Sequence, residues 1–206
     1  MQEKHKHCVL ECTHSSGQQQ QSRKKTAIVA RFLSSYNVDI AALSETRFAW
    51  NGFLEEVGRG FTFYWIGKAE DEPHQAGVGF AIRSDIAKNL ESLPVGVSAR
   101  LMTLRIAIDK ENYATLISAY APTMSNPDIN KESFYSELRT ALRRIPPKDK
   151  MIILGDFNAR VGCENLLPNV LGAHGIGNMN SNGLILLSLC SEFSLTITNT
   201  HFKHAN

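Results

Sequence analysis

Between Thr26 and Thr200 the chain interleaves short apolar runs of strand length with stretches of helical periodicity. That interleaving constrains the fold more than any other feature, because it demands a sheet with helices packed on it, a mixed α/β architecture. TAIVARFLSSY sets Ile28, Val29, Phe32 and Leu33 on one helical face, with Thr26 as N-cap and Asn37 as terminator. Val38, Ile40, Ala41, Ala42 and Leu43 then read as a buried strand that stops at Ser44-Glu45-Thr46. FTFYWIGK (61–68) and AGVGFAIRS (76–84) predict two more strands, and LMTLRIAI (101–108) with YATLISAY (113–120) predicts an antiparallel hairpin around DKEN. Beyond Pro122 and Pro127 an amphipathic helix is expected from Ile129 to Arg144, closed by Pro146-Pro147. MIILG (151–155) predicts a short apolar strand, 183–193 a helix and SLTITNT (194–200) a last strand. There is no internal repeat.

Composition removes other classes. In 206 residues, 43% are hydrophobic, enough to fill one core of fair size or two small ones. Fourteen Gly and seven Pro exclude collagen-like and low-complexity chains. No run approaches the ~18 apolar residues of a membrane helix, and the polar start MQEKHKHCVLECTHSS is no signal peptide. Four scattered Cys form no disulfide framework, so a reducing compartment is expected: nuclear or cytoplasmic, with no secretion and no membrane contact. Five basic and two acidic groups fall in residues 1–25, leaving a nearly neutral body, so any phosphate-binding face must come from local placement. Residues 1–25 are polar and Gln-rich and are expected to form a disordered tail preceding a domain over 26–206. His5, His7, Cys8, Cys12 and His14 lie in that tail, but their spacing matches no paired-ligand zinc pattern.

Three apolar runs end in groups that can hold a cation or a phosphate. Glu45, just past the first strand, is a carboxylate anchored at its base and half dry at its tip, a fit for a hard divalent ion; a turn residue paired with Arg47 is the plainer alternative. Tyr120, fixed by Pro122 beyond it, can offer its hydroxyl to an anionic oxygen or can simply sit at a rim. In LGDFN, Gly155 lets the backbone approach a ligand, Asp156 and Asn158 share one side, and Phe157 turns to the core. The competing account of Asp156 and Asn158 is an Asx turn after a strand.

DIAALSETR, AGVGFAIRS, LISAYAPT and ILGDFNARVG, in that order, resemble the endonuclease/exonuclease/phosphatase superfamily. Within it they are similar to the apurinic-type endonuclease domain of non-LTR retrotransposons and to the craniofacial development protein 2-like proteins. The resemblance spans about residues 26–200 and implies a deoxyribonuclease-I-like four-layer α/β sandwich with its site at one end. It implies metal-assisted phosphodiester hydrolysis on DNA with Mg2+ or Mn2+ by a monomer. Glu45 would be the metal ligand, Tyr120 a contact to the scissile phosphate, Asp156 the group orienting the attacking water, and Asn158 a phosphate donor. Asn182, in NSNG, falls at a family Asn-Gly position with a less defined role, and Gly77 and Gly79 would serve strand packing.

The chain also departs from the family pattern. Residues 1–36 contain no Asn where a first strand should end in a metal-site Asn, and His201 and His204 match no family position. The closing strands with their Asp and Asp-His pair are not found before Asn206. A sandwich incomplete at its N- and C-terminal strands is therefore expected, with impaired catalysis. The alternatives are an inactive domain that binds without turnover, or a phosphatase or phosphodiesterase of the same fold.

Overall fold

The computed structural model describes residues 16–48, 50–67, 76–163 and 167–203. The His/Cys cluster of residues 5–14 and His204 lie outside them. The first sheet holds β1 (Ile40–Ser44), β2 (Asn51–Glu56), β3 (Phe61–Ile66) and β4 (Val78–Arg83), in the order β1-β4-β3-β2, all antiparallel. The second holds β5 (Val95–Ser98), β6 (Leu101–Ala107), β7 (Tyr113–Tyr120) and β8 (Lys150–Asp156), in sequential order. The predicted β6–β7 hairpin is present, and β8 joins β7 in parallel. Helix α1 (Ser16–Ser35) opens the described chain and α2 (Ser84–Ala87) follows β4. Helix α3 (Asp128–Arg143) is the crossover from β7 to β8, and α4 (Ser181–Glu192) follows β8.

Strand alternation builds the layers. On β7 the even positions Ala114, Leu116 and Tyr120 meet Val78, Phe80 and Ile82 of β4, a core between the two sheets. The odd positions Ile117 and Ala119 meet Phe134, Leu138 and Leu142 of α3 and Leu187 of α4. On the far side, Phe61, Phe63 and Ala81 pack against Ala30 of α1. The order is helix, sheet, sheet, helices: the expected four-layer α/β sandwich, with β7 buried on both faces. Among the described residues no helix is long and apolar enough to cross a membrane.

Several expectations need correction. Helix α1 starts at Ser16, so residues 16–25 are helical rather than part of an unfolded lead-in, and Thr26 is a buried interior position instead of the cap. Its buried residues are Thr26 and Ala30, with Val29 and Leu33 half-buried against the same cluster, because the small Ala30 lets the helix approach the sheet; Ile28 and Phe32 face outward. β1 is an edge strand and only half-buried. In 194–200 only Ile197 forms a strand-like bridge, to Leu171, and Thr198–His201 is a 3-10 turn. Leu195 and Ile197 satisfy their apolar alternation against the helix-side core, so no sheet is needed. β2 carries NGFLEE and β5 a bulged VGVS, both too polar or too short to announce themselves.

At the end of the second sheet where β8 begins, Asp149 locks three strands together. Its side chain is 2% exposed and accepts two hydrogen bonds from Arg105 (2.7 and 3.0 Å) and one from Thr115 (2.9 Å). The Arg105 hydrogen bond, chiefly, holds the Asp149 carboxyl below its ordinary range. A depressed folded-state pKa contributes stability that is complete above the unfolded value and is lost as pH falls through the folded one. Asp149→Asn should thus cost on the order of 2–4 kcal/mol at neutral pH, the buried-pair penalty discounted for the partly exposed Arg105. It should also flatten the loss of stability below about pH 4. Urea unfolding of both proteins from acid to neutral pH checks both outcomes.

Candidate active site

The parallel register of β7 and β8 sets Tyr120 directly beside Asp156. From the facing sheet, β1 delivers Glu45 to the same place: the Ser118 hydroxyl donates to the Leu43 carbonyl at 3.4 Å, tying β1 to β7. The Tyr120 hydroxyl, on a ring that is 5% exposed, then donates to Glu45 Oε1 at 2.7 Å. Arg47 Nη2 donates to the other oxygen, Oε2, at 2.8 Å. The Tyr120 bond first, then the Arg47 bond, lowers the Glu45 pKa, so the group is anionic at neutral pH. Burial, followed by the Glu45 bond, raises the Tyr120 pKa, with Asp156 adding to the rise and Arg100 opposing it. The pair is therefore a neutral phenol donating to a carboxylate.

The loop bearing Glu45 needs an unusual backbone. Glu45 and Arg47 have φ of +52° and +53°, and the Thr46 N–H donates to Gly77 O at 3.2 Å. Gly77, itself at φ +123°, sits against Thr46 so closely that a Cβ there would overlap its hydroxyl. Gly77 thus seats the Glu45 loop, and Gly79 packs against the β3 backbone at Tyr64, the strand-packing role expected of it. Gly155 (φ +140°) also serves a close approach, though to a different neighbour from the one predicted: a Cβ would overlap the Ala119 carbonyl of β7.

Beyond β8 the Asx turn is real. Asp156 Oδ1 accepts the Asn158 N–H at 2.8 Å, and Phe157 packs toward Phe134, ring centroids 6.4 Å apart. Asp156 is an exposed residue, and its Oδ2 has no partner among the described residues. Asn158, at φ +48°, donates one amide hydrogen to Ala121 O at 2.9 Å. Asn182 is 1% exposed and braces the loops beneath, donating to Pro122 O and Asn158 O at 3.0 Å each. Asn180 caps α4, accepting from Gly183 N at 2.8 Å and from Arg160 N at 3.0 Å. Glu45, Tyr120, Asp156 and Asn158 therefore share one end of the sandwich, with Asn182 behind them. Thr46 Oγ1 and Asn182 Oδ1 are buried there with no partner among the described residues.

The site offers hard oxygen donors. No group of three or more His, Cys, Asp or Glu forms a ligand cluster among the described residues. One carboxylate, with a second across Tyr120, suits Mg2+, which keeps several waters and takes one or two carboxylates. His174 and His201 are exposed and sit by the Gly172–Thr200 contact, in keeping with the surface role expected of His201. Arg100, the second residue of the Ala99–Arg100 turn between β5 and β6, was not singled out from the sequence; it stacks on the Tyr120 ring, its Cζ 5.2 Å from the centroid. A single basic residue in a turn carries no signal by itself.

Residues 14–181 match the sequence model of the Endonuclease/Exonuclease/phosphatase family. The chain is similar to craniofacial development protein 2 of Bos taurus, 29% identical over 182 residues, covering 87% of this chain and 29% of that protein. The Tragulus javanicus protein of that name is 28% identical over 182 residues, covering 87% of this chain and 30% of that protein. The chain thus spans about three-tenths of the length of these curated relatives. A crystal structure of humanized D. rerio TDP2 superposes with a TM-score of 0.45 at 13% identity, over 67% of this chain and 59% of that one. With most of its length matched, this chain belongs to the endonuclease/exonuclease/phosphatase family.

Proposed function

We propose that the chain is a phosphodiester hydrolase of the endonuclease type, acting on DNA as a monomer in the nucleus or cytoplasm. The observation that carries this reading is the Tyr120 hydroxyl donated to Glu45 at 2.7 Å, with Asp156 on the next strand. Glu45 would hold Mg2+ or Mn2+, in keeping with a family generally dependent on divalent metal. The ion, when bound, supplies Lewis-acid stabilisation of charge on the phosphoryl group. The remaining work falls to the chain. Asp156 Oδ2 accepts a hydrogen from the attacking water and so orients it. The free amide hydrogen of Asn158 is a preset donor for a phosphate oxygen, needing little reorganisation as charge builds, whereas the Tyr120 hydroxyl would have to turn its single hydrogen from Glu45 to reach one. Asn182 and the Asx turn fix the Asp156–Asn158 loop, so the Asn158 donor is held rather than recruited.

Turnover is proposed to be slow. Among the described residues no histidine bonds to Asp156 or Tyr120, and a missing acid/base partner costs on the order of 10²–10⁴-fold. The same observation favours a second reading, a domain that binds nucleic acid without cutting it.

Plasmid nicking in Mg2+ tests the first reading. Asp156→Ala should lower the nicking rate on the order of 10²-fold or more. Wild-type protein that leaves plasmid intact, while still binding it, supports the second reading, and preferential cleavage of small phosphomonoesters in a substrate panel would move the chain to the phosphatases. Mg2+ should also raise the melting temperature of wild-type protein and leave Glu45→Gln unmoved, since only an ion bound to the folded state stabilises it. Calorimetric scans with and without Mg2+ check this, and equal shifts in both proteins would remove Glu45 from the metal site.

A further inference from the structure

Tyr120 and Asp156 have a third neighbour in the same row. β6 starts at Leu101, which pairs with Ala119, and the Tyr120 N–H donates to Arg100 O at 2.9 Å, so the ladder continues one step past the strand. Residues in register on adjacent strands point to the same face. Arg100, Tyr120 and Asp156 therefore line the inter-sheet end of the second sheet in that order, a cation and an anion flanking a phenol. The turn that carries Arg100 is fixed from both sides: Gly77 N donates to Ala99 O at 3.0 Å, and Arg100 N to Ser98 Oγ at 3.3 Å.

The Arg100 guanidinium is half-buried, and its only hydrogen bond among the described residues runs from Nη1 to Tyr120 O at 3.1 Å. Arg47, Arg83, Arg105, Arg139 and Arg143 each meet a carboxylate. Arg100 meets none among the described residues. Burial lowers its pKa, the mark of desolvation with no anion to offset it, yet a guanidinium stays charged at neutral pH. Most of its N–H donors are idle. A partly desolvated charge is costly unless paired, and a planar fork of donors matches phosphate. Arg100 stands two inter-strand spacings from Asp156, about 10 Å along the row. The guanidinium leans over the Tyr120 ring, so it lies beside the place that Tyr120 and Asp156 flank rather than at Asp156 itself.

We propose that Arg100 anchors a backbone phosphate of the bound nucleic acid next to the scissile phosphodiester. This rests on the nucleic-acid reading above and adds to it the residue that sets strand register in the site.

The test is fluorescence anisotropy of the full chain with a labelled DNA duplex in EDTA, where no hydrolysis occurs, between about 50 and 200 mM salt. Arg100→Gln should weaken binding and make the slope of log K against log salt shallower by about one. Arg100→Lys should keep the wild-type slope and lose part of the affinity, because charge survives and the fork does not. Inorganic phosphate at matched ionic strength should leave the DNA complex intact; displacement would reassign the arginine to free phosphate. Melting curves that match wild type show that both variants fold. An Arg100→Gln slope equal to wild type overturns the anchor, even where Asp156-dependent nicking is intact. A slope difference with no nicking keeps the anchor and overturns the hydrolase reading. Failure of wild-type protein to bind DNA overturns both.

Discussion

The parallel pairing of β7 with β8 is the constraint on which the rest of the structure depends. Two parallel neighbours cannot be joined by a tight turn, so the chain must cross over, and α3 does this on the helix side of the sheet. Both strands then end at the same edge of the sandwich, where Tyr120 and Asp156 emerge side by side. Because β6 is antiparallel to β7, it begins where β7 ends, and β1 arrives at that edge from the other sheet. Chemistry collects there because strand ends free side chains from the ladder while the strands still hold their bases. The neighbouring loops are stitched by side-chain amides, Asn158 to Ala121 and Asn182 to Pro122, rather than by further sheet.

Several residues of the site satisfy their plain local role and remain fit for a functional one. Glu45 is paired with Arg47, as a simple turn residue would be, yet its other oxygen is the acceptor for Tyr120. Asp156 closes an Asx turn with one oxygen and exposes the other. A carboxylate has two oxygens and about four acceptor positions, so a structural bond need not exhaust it. Local hydrogen bonding here fixes the rotamers of Glu45 and Asp156, and the plain turn role of each leaves acceptor positions over.

Legibility in the sequence followed burial. β7, β8, α3 and α4 were readable because each is a long or strongly patterned apolar segment packed on a core. Glu45, Tyr120 and Asp156 were readable as candidates because each closes such a run. Their convergence was not: it depends on register across two sheets, and only the four ordered motifs of the family pointed to it. The backbone sign at Glu45 and Asn158 is also invisible in composition, so the inward turn of the Asn158 amide carries no mark in the sequence. On α1, helical spacing set Ile28 and Phe32 on one face with Val29 and Leu33, whereas the small Ala30 holds the contact and Ile28 and Phe32 face outward. Arg100 was silent because one basic residue beside a turn resembles any other. Edge strands β2 and β5 were silent for a related reason, having little to bury.

The Asp149 clamp has a consequence for sequence divergence. Pinned by Asp149 at its start and by the Gly155–Ala119 contact near its end, β8 has no slack in which to absorb a length change. A single-residue insertion or deletion between 150 and 156 would swap the strand's two faces, sending Asp156 out of line and Ile153 into the wrong layer. Indels among homologues should therefore gather in the exposed turn 146–148 and leave the strand untouched.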